Sequence, residues 1–329
     1  MRTADELRAI DKAELHIHLD GSLRPATIEE LSRKLGIVPA DAPPGTAADL
    51  VRVQTRAGLM EALAGFDILL PLLQTPTNLR RVTTELVEDL AADGVRYAEL
   101  RFAPKLFTEQ GMSTEAVLAH AGEAAAAAAE RLHVKMPLIA CLMGGIDPEW
   151  NAEIIDAAIA RRDDGVVAVD LAGPVTGRSP EWIHAHAKLF ARARDAGLRI
   201  TIHAGEAEPP EAIRIALQRY GAERIGHATS LIEDADLLAE VVERRIPLES
   251  CPQSNYWTRT PDEMADLTAH PIGALLRADA VVCLNTDDRS LFANDLTGEL
   301  FTVQQAQGLS DDEVDTLIAN GWAAAFAAP

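Results

Sequence analysis

LRITIHAGEAEPPEAIRIALQRYGAERIGHAT, residues 198–229, holds one complete repeat of the fold. LRITIHA (198–204) is an apolar, β-rich run, and RIGHAT (224–229) is a second. Between them, Glu208 to Tyr220 reads as a helix closed by Gly221, a residue suited to the left-handed position past a helix end. Two strands joined through a helix pair in parallel, because a hairpin turn cannot make that connection. Working outward, the same unit recurs. AELHIHL (13–19), VRYAELRFA (95–103), MPLIACLM (136–143), VVAVDLA (166–172), IPLESC (246–251) and AVVCLNT (280–286) bring the count of strand-like runs to eight. Several are almost continuously apolar, as strands covered on both faces should be. Helix starts lie between them: Ser113 as an N-cap with Glu115 in the first turn, Asp147-Pro148, and Ser179-Pro180. Eight alternations predict a (β/α)8 TIM barrel in the α/β class, with a doubly wound open sheet as the structural alternative.

One interval is too long for a simple unit. Residues 20–94 separate the first two strands, and we read them as a helical insertion within a single domain spanning 1–329. It holds helical patterns at 25–35, 49–74 and 77–92, with a Pro/Ala/Gly-rich stretch at 38–48. The Ala-rich run at 121–130 is plain helix, since Ala is the best helix former. No internal repeat is visible.

Acidic side chains number 51 against 30 basic ones, a formal charge of -21. Affinity for nucleic acid comes mostly from neutralising phosphates, so this balance excludes nucleic acid as the expected partner. No apolar stretch approaches the ~20 residues that span a bilayer, and the first residues lack a signal-peptide core. Cys141, Cys251 and Cys283 are far apart and odd in number, which reads as buried free thiols in a cytoplasmic protein. Oligomeric state leaves no trace in the sequence.

The chemistry collects at strand ends, the face where such barrels place their active sites. His16 and His18 are two apart, so both imidazoles point to one side of the first strand. Alone, this spacing is a weak signal. It gains weight from its position and from Glu14 and Asp20 beside it. His203 ends an apolar strand, and Gly205 lets the chain turn so that Glu206 re-enters the pocket. His227 follows in RIGHAT, and Asp287-Asp288 ends LNTDD. Each has a bland reading: a satisfied core histidine, a helix-capping carboxylate, a solvated turn. Four strand ends supplying His or Asp together make those readings hard to sustain. Three imidazoles, one carboxylate and an open position suit catalytic Zn²⁺. His120, His133, His184, His186 and His270 fall in helical or loop patterns and read as surface or structural.

In family order, KAELHIHLDGSLRP (12–25), VRYAELRFAP (95–104), VVAVDLAG (166–173), ITIHAGE (200–206), RIGHATSLIED (224–234), ESCPQSN (249–255) and LNTDD (284–288) resemble the adenosine deaminase family of metal-dependent amidohydrolases. The resemblance runs over nearly the whole chain and implies a (β/α)8 barrel. It implies that His16, His18, His203 and Asp287 hold one Zn²⁺, which makes a water acidic enough to act as hydroxide near neutral pH. His227 would accept the water proton or orient the hydroxide. Glu206 would give a proton to purine N1, Asp288 would bond N7, the Gly173 N–H would bond N3, and Asp20 would contact a ribose hydroxyl. The implied reaction is hydrolytic deamination of adenosine or 2'-deoxyadenosine, releasing ammonia. The fourth strand contains no Lys to bridge a second metal, so one ion is expected. The cytidine-type His/Cys/Cys zinc signature is absent.

Several positions depart from the family pattern: Gly144-Gly145 where an Arg is common, Pro174-Val175 where an acidic pair is common, Ala228 for Gly, and Arg289 for Pro. None removes a proposed ligand or catalytic group. All lie near strand ends, so they bear on the substrate more than on the reaction. Adenine, a 5'-modified adenosine and aminodeoxyfutalosine are the alternative substrates. A catalytically silent purine-binding protein is the competing class, and intact His203, Glu206, His227 and Asp287 argue against it.

Overall fold

A computed structural model describes residues 1–327. Its frame is an eight-stranded parallel sheet in sequential order: β1 (Lys12–His18), β2 (Val95–Phe102), β3 (Leu138–Met143), β4 (Val166–Ala172), β5 (Arg199–Ala204), β6 (Arg224–His227), β7 (Leu248–Ser250) and β8 (Val282–Leu284). The sheet closes on itself at its C-terminal end. There Asp287 N donates to His16 O at 3.0 Å and His18 N donates to Asp287 O at 3.1 Å. The expected barrel is therefore the observed one, and the open-sheet alternative falls away.

The helices start where local chemistry dictates. Ser113 caps Thr114–Leu132 by accepting from Ala116 N, and Ser179 caps Pro180–Asp195 by accepting from Trp182 N. Each satisfies an amide that the first turn leaves without an intrahelical partner. After β5 the helix differs in detail: Pro210–Ile215 is α-helical, then widens to a π-helix over Ala216–Tyr220 before Gly221 ends it at φ 72°.

The 20–94 segment is helical but more broken than its pattern suggested. Pro25–Lys34 and Pro76–Ala92 form as expected. The stretch 49–74 does not form one helix. It divides into Thr46–Val51, Leu59–Ala62, a 3₁₀ turn at Leu63–Gly65, and Phe66–Leu72. Gly58 at φ 115° breaks the path, because no right-handed helix passes through that conformation. Helical periodicity survives such a break, so the apolar pattern alone did not reveal it.

Barrel interiors of this class are usually filled by branched aliphatics. This one also contains a buried ionic ladder. Arg101, Arg224, Glu99, Asp170 and Glu249 are all 0–1% exposed. Arg101 bridges Asp170 (2.9 Å) and Glu249 (2.8 Å), while Arg224 bridges Glu249 (2.7 Å) and Glu99. Charges this deep persist only when paired and hydrogen-bonded. Every acid in the set has an Arg neighbour.

Candidate active site

The C-terminal strand ends gather the residues singled out in the sequence. His16 and His18 come from β1, His203 from β5, and Asp287 from the segment after β8. One ligand atom from each lies within 4.8 Å of the others. His18 Nε2 is 3.2 Å from His203 Nε2 and 3.3 Å from Asp287 Oδ1, and His16 Nε2 is 3.4 Å from the same oxygen.

Left-handed backbone occurs at the site. His227, Ala228 and Asp287 have φ of 63°, 55° and 66°, a left-handed region that side chains with a Cβ seldom occupy. Glycines permit the close packing. A Cβ on Gly226 would lie 2.9 Å from His16 Cε1, and one on Gly21 would lie 1.7 Å from Asp288 Oδ1. That explains the Gly in HLDG and in RIGH: each leaves room for a site side chain from another strand end.

The ladder beneath the site orients the imidazoles. His16 Nδ1 is 2.9 Å from Glu249 Oε2, and His203 Nδ1 is 2.8 Å from Asp170 Oδ2. Both carboxyls are held far below the usual range despite burial, Glu249 chiefly by Arg101 and Arg224, Asp170 by His203 and Arg101. An ionised acid at Nδ1 keeps the proton there and turns the Nε2 lone pair toward the cluster. His16 Nε2 is buried and has no hydrogen-bond partner. An orphaned lone pair facing two more imidazoles and a carboxylate suits a cation. The donor set therefore fits a metal ion. Asp170 and Glu249 were missed in the sequence. Their signal was the phase of the strand: an acid within an apolar run marks the inward face.

Beside the donor set stand the remaining candidates. Glu206 Oε2 is 3.7 Å from His227 Nε2, and Thr258 Oγ1 donates to Glu206 Oε1 at 3.2 Å. Burial, reinforced by Asp287, pushes the Glu206 carboxyl up to about 7. Burial and the adjacent Asp287 push Asp288 well above its ordinary value. Asp287 itself stays well below, because His16 and the other imidazoles outweigh its burial. The paired carboxyls are therefore pushed in opposite directions, Asp288 toward its protonated form and Asp287 toward its ionised form. Burial pushes Asp20 up to about 7, and its Oδ1 has no partner. A second donor group, His227, Cys251 and Asp287, shares Asp287 with the first. Burial pushes the Cys251 thiol well above its ordinary value, which makes it a poor ligand.

His18, Asp20, His203, Glu206, His227, Asp287 and Asp288 line a cavity of about 280 Å³ that also reaches Gly173. Its outer wall is apolar, built by Leu59, Leu63, Phe66 and Leu70 of the insertion together with Leu106 and Phe292. Gly144 packs against Gly173: a Cβ there would meet the Gly173 carbonyl carbon at 2.5 Å. That contact accounts for glycine after β3. Of the other histidines, His133 and His184 are exposed, His120 is half-buried, and His186 and His270 are buried. All three cysteines are buried and free, and Cys141 lines the cavity. No helix among the described residues is long and apolar enough to cross a membrane.

Comparison with known proteins bears on this geometry. The family model for adenosine deaminase matches residues 11–329. An adenosine deaminase from Mycobacterium marinum is 36% identical, covering 100% of this chain and 93% of that protein. Among solved structures, an adenine deaminase from Arthrobacter aurescens superposes with a TM-score of 0.87 at 28% identity, over 97% of this chain and 94% of the other. An amidohydrolase from Burkholderia ambifaria with bound Zn superposes with a TM-score of 0.86 at 25% identity, over 99% and 89%. The chain belongs to the adenosine deaminase family and is an aminohydrolase.

Proposed function

We propose that residues 1–329 act as one catalytic unit that hydrolyses adenosine or 2'-deoxyadenosine to inosine or 2'-deoxyinosine, with release of ammonia. The observation that carries this reading is the convergence of Glu206, His227 and Asp288 on the cavity beside the four-residue donor set. His16, His18, His203 and Asp287 would hold one Zn²⁺. The open geometry of three imidazoles and one carboxylate and the zinc in the Burkholderia relative support that metal. When bound, the ion supplies Lewis acidity and makes a water nucleophilic near neutral pH.

The chain's own groups then act on the purine. N1 and N7 are both acceptors, and each needs a donor. Glu206, kept protonated by burial, delivers its proton to N1 and reduces the aromaticity that protects C6. Asp288, whose protonated form burial and Asp287 favour, donates to N7. The Gly173 amide donates to N3, and Asp20 bonds a ribose hydroxyl. His227 flanks the position of attack. The apolar outer wall excludes bulk water, which strengthens each of these contacts.

The lining favours an uncharged substrate. Asp20, Glu206, Asp287 and Asp288 line the cavity, and no Lys or Arg stands among the described residues that do so. A phosphorylated substrate would enter without a counter-charge. A purine nucleoside is therefore the expected partner, with no nucleic acid. Three buried free thiols support a reducing, cytoplasmic setting.

The second reading is adenine, favoured by the close superposition on the Arthrobacter enzyme. Asp20→Ala separates the two. With adenosine, kcat/KM is expected to fall roughly 10- to 100-fold, the worth of a buried hydrogen bond from a charged or polar group. With adenine, which has no ribose, the rate should barely change. An equal effect on both substrates would remove Asp20 from the sugar site.

A further inference from the structure

His227 makes contacts on both sides of its ring. Nε2 faces the cavity, 3.7 Å from Glu206 Oε2 and 4.0 Å from Asp287 Oδ2. Nδ1 faces away, into a polar chain behind the site. There it lies 3.1 Å from Asn255 Nδ2. Asn255 Oδ1 in turn lies 3.1 Å from His270 Nε2, and the Ile272 backbone N–H points at His270 Nδ1 from 3.2 Å. His227, Asn255 and His270 are all 3% exposed or less, so water does not interrupt the chain.

Imidazole tautomers and carboxamide orientations are ordinarily open choices. In this chain one end is fixed, because a backbone amide can only donate. His270 Nδ1 must therefore present its lone pair. A neutral imidazole has one N–H, so His270 carries it on Nε2 and donates to Asn255 Oδ1. Protonated His270 would set two N–H groups against each other at Ile272, and burial pushes this imidazole down to about 3. With Asn255 accepting at Oδ1, its amide nitrogen donates to His227 Nδ1. The remaining proton of His227 then sits on Nε2, facing the cavity.

We propose that Asn255 and His270 are positioning residues that lock His227 in its Nε2–H tautomer, so that it works as a hydrogen-bond donor to the nucleophile. A proton acceptor at this place would need a free lone pair on Nε2, and the chain withholds it. His227 keeps its proton and orients the attacking oxygen. The inference rests on the deaminase reading for its catalytic meaning, but the tautomer is a property of the protein alone. It also revises His270: a buried loop histidine acts on the site through one carboxamide.

The test has two arms. In ¹⁵N-histidine-labelled, metal-loaded protein, long-range ¹H–¹⁵N correlations distinguish the tautomers, with His227 assigned by its loss in His227→Gln. An Nε2-protonated His227 is expected, and an Nδ1-protonated one overturns the proposal. The second arm is Asn255→Asp, nearly isosteric but offering two acceptors. It should draw the His227 proton to Nδ1. A drop in kcat on the order of 10²- to 10⁴-fold is expected, the range seen when a catalytic imidazole is held in the wrong tautomer or lost as a proton-handling group. KM and metal content should stay near wild type, which a merely structural effect would not leave intact. Wild-type kcat in Asn255→Asp overturns the proposal, and if that variant does not fold, the spectrum of the wild-type protein decides. Absence of ammonia release from every purine alongside an Nε2–H signal would remove the deaminase reading and leave the tautomer lock standing.

Discussion

Replacing Glu206 with Gln is expected to leave the metal bound and to lower kcat on the order of 10²- to 10⁴-fold, the usual contribution of a positioned general acid. Gln keeps the size and can still accept from Thr258, which now donates to Glu206 Oε1 at 3.2 Å. It cannot release a proton to N1. Glu206 lies outside the donor set, so metal content should remain at one ion per chain. The acid role also fixes the sign of the pH dependence. Glu206 acts in its protonated form, and burial pushes its carboxyl up to about 7. Activity should therefore hold on the acid side of that value and fall as pH rises through it, by roughly tenfold per unit well above it. The residual rate of Glu206→Gln should lack this limb. Steady-state rates over pH, with metal analysis of both proteins, check the expectation. A variant close to wild type would remove Glu206 as proton donor.

His16→Ala should strip the metal. His16 sits at the floor of the cluster, 0% exposed, fixed by Glu249 on one side and facing Asp287 on the other. Loss of even an outer-shell partner typically weakens metal binding 10- to 100-fold, and loss of a ligand should exceed roughly 100-fold. Glu249 keeps its partners Arg101 and Arg224 in the variant, so the ladder beneath need not collapse. The protein is expected to purify folded, with far less than one metal per chain and no measurable turnover. Stoichiometric metal in this variant would contradict the assignment of His16 as a ligand. Elemental analysis and circular dichroism on one sample separate metal loss from unfolding.

What could be read from the sequence follows from where the physics is local. Strands in a closed parallel barrel are buried on both faces, so their runs stand out as apolar. A polar residue at the end of such a run needs an explanation, and His16, His18, His203, His227 and Asp287 were found that way. The Gly in HLDG and the Gly in RIGH mark the same ends, since each clears space for a side chain from elsewhere. The ionic ladder was less visible. Arg101, Asp170 and Glu249 meet the imidazoles of His16 and His203 across five different strands, so strand phase can mark an acid as inward-facing but says nothing of the partner it meets. The break at Gly58 was hidden because helical spacing continues on both sides of it. The Asn255–His270 relay was hidden most completely. Its members lie 15 residues apart, Asn255 in the short helix Pro252–Thr258 and His270 in a loop, and only the folded backbone brings Ile272 N–H to bear on His270.

Ammonia release is the direct measurement of the central claim. Metal-loaded protein should be offered adenosine, 2'-deoxyadenosine, adenine, 5'-modified adenosines and aminodeoxyfutalosine, each with and without a chelator. Ammonia from adenosine or 2'-deoxyadenosine, abolished by prolonged chelation and restored by Zn²⁺, is the expected result. No ammonia from any of these purines would contradict it.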